Sequence, residues 1–413
     1  MKLQIEKAVY GGDGLGRDAD DRVVFVPYVL PGELVSVQVT AGRHAQTEGT
    51  VKSLEVASFQ RVTPRCRHFG RCGGCQYQHA SYDLQLAMKT DILSETLERA
   101  GLRNRPKIQV HAGDPWGYRN RIRLRVQAIE GTIRFGYNLR GTHDFLPIEE
   151  CPIAAPVLWR AVSAMESLAA RNPLSAQWLR SIGDVELFST ADQKQLHMNF
   201  SLSGEVGRFA EFCEGVRGVV PELVGVGVDW GRGGLTYVVE GKGYWVSAGG
   251  FFQVNRFLLP ELVRLVTAGR NGLMAWDLYA GVGLFSRVLA EDFGQVIAVE
   301  GNTQAIKDLA SAKVAKVRGL PVSVGSFLRE AVVGRERPDL VVMDPPRAGL
   351  GKVEAGLLAK LQVPQIVYVS CNPTTLARDL RVMVDSGYDL AELHLVDLFP
   401  QTYHLETVAV LQR

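Results

Sequence analysis

The chain has 413 residues, 46% hydrophobic and 22% charged, with a net charge of +2. This excludes wholesale disorder, collagen-like repeats and a small disulfide scaffold, and the length allows roughly two to four domains with their own cores. No apolar run reaches the ~18 residues of a membrane span. The N-terminal stretch carries an acid, Glu6, and no long apolar segment, so it does not read as a secretory leader. Six cysteines in such a chain point to a reducing compartment. The expectation is a cytoplasmic, monomeric protein that needs neither membrane nor protein partner.

Residues 1–60 hold short alternating runs, 22–30, 33–40 and 47–56, separated by Gly, Pro and Asp. Short strands at this spacing predict a small closed β-barrel of the oligonucleotide-binding kind. The glycine-rich stretch 11–17 reads as the loop joining the first two strands. A cysteine-bearing segment, 61–81, comes next. Over 83–100, Leu84, Met88, Ile92, Leu93 and Leu97 repeat at helical spacing and Gly101 stands where a cap belongs. This helix can pack on the C-terminal unit although it lies in the central segment. Residues 61–250 read as a central mixed α/β domain, with strand-like runs at 121–129, 184–190, 195–202, 223–230 and 234–241 and a helix near 156–170.

Between residues 61 and 125 the chain carries thirteen Lys and Arg against five acids. A basic segment on a near-neutral chain suggests a polyanionic partner; a solvated basic face is the competing reading.

From 251 to 413, strands and helices alternate, which predicts a doubly wound, mostly parallel α/β sheet. Its strand-like runs are 273–279, 295–301, 321–326, 339–344 and 365–370. Two more, 391–399 and 406–413, are too closely spaced for a crossover and predict an antiparallel hairpin at the sheet edge. Ligands of such sheets lie beyond the carboxyl ends of the strands.

Those ends carry distinctive residues. After the first strand, Gly281 and Gly283 let backbone approach a ligand. After the second, Glu300 suits ribose hydroxyls. Together they indicate an adenosine-containing cofactor. Asp344 precedes two prolines that fix a rigid turn. Cys371, directly after the fifth strand, is placed as a nucleophile, although cysteines of this kind are most commonly inert and buried.

These residues resemble the S-adenosylmethionine-dependent RNA uracil-5-methyltransferases. The matching motifs are FFQVN at 251–255, DLYAGVGLFS at 277–286, DPPRAGL at 344–350, VSCNPTTLARDL at 369–380 and FPQTYHLE at 399–406. The resemblance implies a Rossmann-like catalytic domain in which Cys371 attacks C6 of uracil and Glu406 later removes the C5 proton. It further implies that Gln253, Tyr279, Gly281, Gly283, Glu300 and Asp344 bind the cofactor, and that Phe251 stacks near the target base. The chain departs from the family at Leu284, commonly polar, and at Ser326, read as the end of the third strand and usually an acid or amide. Adenine contacts are not expected at these two positions.

Cys66, Cys72 and Cys75 form C-x5-C-x2-C, and Cys151 lies far downstream. Four such thiolates can hold a metal cluster; zinc is the alternative, with His68 and His79 nearby. The spacing is similar to the 4Fe-4S site of several family members. Residues 1–60 resemble the TRAM barrel, an RNA-binding module, and Arg119 and Arg121 are the expected phosphate clamps. The implied substrate is structured RNA, 23S rRNA before tRNA. A non-catalytic iron–sulfur RNA-binding protein is the reading from a different class.

Overall fold

The computed structural model describes residues 1–41, 47–203, 209–229 and 233–413. Of the strand-like run 223–230, Trp230 lies outside the described residues.

Strands β1 (Lys2–Ala8), β2 (Asp13–Arg17), β3 (Val23–Pro27), β4 (Leu34–Ala41) and β5 (Thr47–Val56) close into a barrel in the order β1-β2-β3-β5-β4. Alternate residues Leu3, Ile5, Val24, Val26, Val35 and Val37 point inward and form its core. The stretch 11–17, expected as a loop, is mostly β2. A Cβ on Gly16 would stand 2.5 Å from the Gln4 carbonyl oxygen, so glycine here allows close strand approach rather than a flexible turn.

Helix α1 (Tyr82–Arg99) starts at Ser81, whose side chain accepts from the Leu84 amide. Its buried stripe, Met88, Ile92, Leu93 and Leu97, joins the same apolar cluster as Trp276, Tyr368 and Leu380. Strand β6 (Gln109–His111) follows, then β7 (Arg121–Ile129), β8 (Thr132–Asn138), β9 (Phe145–Pro147), α2 (Pro156–Arg171), α3 (Pro173–Arg180), β10 (Ile182–Ser189), β11 (Leu196–Leu202), α4 (Phe209–Val219) and β12 (Leu223–Val228). They build a six-stranded sheet, β12-β11-β10-β7-β8-β9, with its apolar face under the three helices. Cys213 is buried in α4. The hairpin of β13 (Gly234–Val239) and β14 (Lys242–Ser247) contributes Leu235, Tyr237, Tyr244 and Val246 to the core of the C-terminal sheet.

That sheet is built from α5 (Leu259–Thr267), β15 (Gly272–Leu278), α6 (Ser286–Asp292), β16 (Phe293–Val299), α7 (Thr303–Ser311), β17 (Val317–Leu320), α8 (Val324–Gly334), β18 (Leu340–Met343), α9 (Lys352–Leu361), β19 (Gln365–Ser370), α10 (Pro373–Asp385), β20 (Asp389–Val396) and β21 (Glu406–Gln412). Its order is β17-β16-β15-β18-β19-β21-β20-β6, parallel from β17 to β19.

Two expectations are corrected here. The third strand is residues 317–320, not 321–326: Ser323 caps α8 by accepting from the Ser326 amide at 3.2 Å, so Ser326 is helical and not a strand end. The β20–β21 hairpin does not form the edge, because β6 pairs parallel with β20 and covers it. Among the described residues, no helix is long and apolar enough to cross a membrane.

Candidate active site

Strand register brings the reactive groups together. Ser370, the last residue of β19, pairs with Thr407 of antiparallel β21. Cys371 and Glu406, one step beyond in opposite chain directions, therefore share the same end of adjacent strands. Asp344 follows β18, the neighbour of β19 on the other side.

Glu406 is 2% exposed, and its Oε1 has no hydrogen-bond partner. Burial, then the Asp344 carboxylate, pushes its carboxyl well above the usual range. Burial and Asp277 push Asp344 up as well, opposed by Gln253, whose Nε2 donates to Asp344 Oδ2 at 3.0 Å. Burial first, then Glu406 and Asp344, pushes the Cys371 thiol up to about 12, while the Arg347 guanidinium pulls it down. Burial and mutual repulsion thus hold all three groups toward their neutral forms.

Neighbouring loops hold these groups in place. Asn372 Oδ1 caps α10 by accepting from the Thr374 amide at 3.0 Å. Asn372 Nδ2 and Thr375 Oγ1 both donate to the Arg347 carbonyl, at 3.3 and 3.1 Å, so the turns after β18 and β19 are tied together. Residues 397–405, which lead into Glu406, are gripped from upstream. Lys89 Nζ donates to Asp397 Oδ1 at 2.5 Å and to the Phe399 carbonyl at 3.0 Å. Tyr118 Oη donates to the Pro400 carbonyl at 3.0 Å, and Asn255 Nδ2 to the Leu398 carbonyl at 3.0 Å. The amides of Gln76 and Tyr77 both donate to the Gln401 carbonyl at 3.0 Å.

At the cofactor end of the sheet, Tyr279, Gly281 and Gly283 have φ of 61°, 54° and 83°. The turn is closed internally: the Ala280 amide donates to the Val299 carbonyl at 3.1 Å and the Gly283 amide to the Ala280 carbonyl at 2.8 Å. The Gly281 amide donates to Glu300 Oε2 at 3.0 Å and the Asn302 amide to Oε1 at 2.7 Å, which aims the Glu300 carboxylate at the same turn. Beneath lies Asp277, whose Oδ2 accepts from the Ser286 amide at 2.9 Å. Burial, far more than Glu300, pushes it up to about 7. Leu284 is buried in the core. Phe251 is 70% exposed.

The expected phosphate clamps do not stand on the surface. Arg121 donates to the Gly250 carbonyl, lies 3.7 Å from Glu186 and stacks 4.0 Å over Phe188. Much of the basic segment is likewise paired internally: Arg61 with Glu33, Arg67 with Glu149, Lys89 with Asp397 and Arg105 with Glu98. Ile122 and Leu124 alternate into the core along β7, but such alternation cannot show which charges on the other face are already matched.

Arg119 points into a cavity of about 400 Å³ that Cys66, Cys72, Cys75 and Cys151 also line. Burial, opposed by Gln78, pushes the Cys75 thiol up to about 12, and burial pushes Cys151 up to about 11. His68, whose Nε2 accepts from the Glu149 amide at 3.0 Å, and Glu150 also line the cavity, whereas His79 does not. Among the described residues, no three His, Cys, Asp or Glu side chains are set to hold a metal ion.

The sequence reading missed Lys89, Tyr118 and Asn255 as supports of the 397–405 loop, and with them Gln85, which donates from Nε2 to Gln401 Oε1 at 3.0 Å and accepts at Oε1 from the Gln401 amide at 2.9 Å. One signal was available: Gln85 and Lys89 lie on the buried stripe of an amphipathic helix, where unpaired polar side chains are costly.

The doubly wound sheet carries a glycine turn after β15 and a cysteine–carboxylate pair at β19 and β21. Residues 251–413 match the tRNA (Uracil-5-)-methyltransferase family and residues 1–52 the TRAM domain. An uncharacterized RNA methyltransferase of Aquifex aeolicus is 33% identical across all of this chain and 98% of its own length. The 23S rRNA (uracil(1939)-C(5))-methyltransferase RlmD of Chromohalobacter salexigens is 33% identical across all of this chain and 89% of its own. The crystal structure of Pyrococcus abyssi tRNA (uracil-54, C5)-methyltransferase in complex with S-adenosyl-L-homocysteine superposes with a TM-score of 0.77, at 24% identity and full coverage of both chains. The chain belongs to the S-adenosylmethionine-dependent RNA uracil-5-methyltransferase family and is an enzyme of that class.

Proposed function

We propose that this enzyme methylates C5 of a uridine in 23S ribosomal RNA through a covalent bond between Cys371 and C6. The observation that carries the chemistry is the Cys371–Glu406 juxtaposition across β19 and β21. Full-length similarity to a relative named for 23S rRNA supports the substrate.

Uracil C5 is a weak nucleophile. Cys371, as thiolate, adds to C6, and the electron pair of the C5–C6 double bond moves toward C4=O as an enolate. S-adenosylmethionine, held at Gln253, Tyr279, Gly281, Gly283, Glu300 and Asp344, supplies an electrophilic methyl group. C5 forms the new carbon–carbon bond as the methyl–sulfur bond breaks and S-adenosylhomocysteine leaves. Glu406 then takes the C5 proton, the C5–C6 double bond re-forms, and Cys371 leaves as thiolate. Only the ionised carboxylate can take that proton; burial raises the Glu406 carboxyl, so its own proton has to leave before this step, after which it is a stronger base than an ordinary carboxylate. The target base must leave its stack to reach Cys371, and exposed Phe251 offers a ring to receive it.

Cys66, Cys72, Cys75 and Cys151 are the residues that would hold a 4Fe-4S cluster. A four-thiol cavity containing a guanidinium without a carboxylate partner supports that fit, because a tetrathiolate cluster brings net negative charge. When bound, the cluster would supply a rigid tie between the 66–75 knuckle and the central sheet.

The test is transfer of tritiated methyl to 23S rRNA and tRNA transcripts, read as 5-methyluridine, with Cys371→Ala alongside. Label in 23S rRNA that is lost in the variant is expected. Label in tRNA alone, in line with the name of the matching family, would replace the substrate. No label in either would favour the RNA-binding reading.

A further inference from the structure

The barrel reaches the nucleophile. Tyr10, in the turn between β1 and β2, donates from Oη to the carbonyl oxygen of Cys371 at 3.2 Å. Its ring meets that of Tyr403 edge-on, with centroids 5.4 Å apart, and Tyr403 lies in the loop that ends at Glu406. One barrel side chain therefore touches both segments that carry the reacting groups.

The turn that presents Tyr10 is firmly seated. Asp13 Oδ1 accepts from Arg140 Nη2 at 2.6 Å, joining β2 to the central sheet. A Cβ on Gly12 would stand 2.7 Å from Gln76 Cγ and 3.3 Å from Tyr403 Cδ1, so the turn backbone lies directly against the cysteine knuckle and the Glu406 loop. Ala8 and Leu30 enter the core cluster that also contains Tyr368 and Leu405. This barrel is packed against the catalytic sheet, not tethered to it.

We propose that Tyr10 is a positioning residue for Cys371, holding the turn after β19 so that the sulfur faces C6, and that it thereby makes nucleophile alignment depend on how the barrel is seated. Cys371 stands just past the end of the β19 ladder, where a hydrogen bond to its carbonyl fixes a backbone that the sheet no longer holds. A nucleophile that attacks a planar ring is sensitive to displacements of a fraction of an ångström. The inference rests on Cys371 being the nucleophile.

The experiment uses full-length protein, S-adenosylmethionine and a 23S rRNA transcript containing 5-fluorouridine, which leaves no C5 proton to remove, so the covalent complex accumulates. The rate of its formation is followed at saturating RNA across pH. Tyr10→Phe keeps the ring and removes the hydroxyl. It is expected to slow complex formation about tenfold at every pH, with RNA affinity and melting temperature unchanged. Tyr10→Leu is expected to slow it further. A Tyr10→Phe rate equal to wild type would overturn the inference, as would a loss confined to RNA affinity, or a shifted pH profile, which would place Tyr10 on the proton rather than the backbone. Absence of a complex in wild type would overturn the Cys371 reading and this inference with it, whereas a wild-type complex formed equally fast by Tyr10→Phe overturns this inference alone.

Discussion

Two cations of this protein, Lys89 fully buried and Arg119 half-buried, have opposite surroundings. Lys89 and Asp397 are both fully buried and sit 2.5 Å apart, with the Phe399 carbonyl completing the ammonium's contacts. Arg119 lines the four-cysteine cavity, makes no ion pair with a carboxylate among the described residues, and has a buried Nε without a partner. A buried charge is tolerated only when matched. Lys89 is thus matched within the chain, whereas Arg119 would be matched only if the four thiols were anionic, the state that metal binding would enforce. The two regions should therefore fail in different ways.

The largest effect expected is that of Cys371→Ala, which should lower methyl transfer by about 10³-fold or more. Melting temperature and iron content should stay at wild-type values, since this thiol belongs to neither structural network. Lys89→Met should cost about 3–5 kcal/mol in denaturant unfolding, because it leaves Asp397 buried and unpaired. Adding Asp397→Leu should recover most of that loss; if it does not, the pair does more than neutralise itself.

Cys151→Ser sharpens the other half. Iron and acid-labile sulfide in anaerobically purified protein should fall by about half or more, and hydrogen exchange at Gln76 and Tyr77 should quicken, since these amides join the knuckle to Gln401. Unchanged metal content would remove Cys151 from the ligand set.

The smallest effect concerns Asp277. Its folded pKa of about 7 lies above the model-compound value of 3.8, so folding favours the neutral acid. That contribution is complete below about 3.8 and is lost as pH rises through about 7. Asp277→Asn, neutral at all pH, should therefore be more stable than wild type at pH 8, by no more than about 4 kcal/mol. The gain should shrink toward zero near pH 4. A constant difference across this range would assign the change to the Ser286 hydrogen bonds instead.

The strand ends were legible in the sequence because local chemistry writes them: Gly281 and Gly283 make a turn, Asp344 precedes two prolines, and Cys371 ends an apolar run. Burial periodicity likewise gave α1. Pairing between distant segments was not legible. Nothing local in Gln109–His111 announces a strand that closes a sheet formed mainly by residues after 270. Arg121 carries the composition of a phosphate clamp, yet its partners Glu186, Phe188 and Gly250 are set only by tertiary packing. The run at 321–326 has strand-like alternation, but the Ser323 cap overrides it. Tyr10 carries no signal at all, since its role depends on where the barrel docks.

The most direct test of the account uses Glu406→Gln with ordinary 23S rRNA and S-adenosylmethionine. If Cys371 forms the bond and Glu406 ends it, this variant should stall after methyl transfer. Mass spectrometry should then find methylated uridine attached to the peptide that contains Cys371. Full turnover by the variant, or attachment to any other residue, would contradict the assignment.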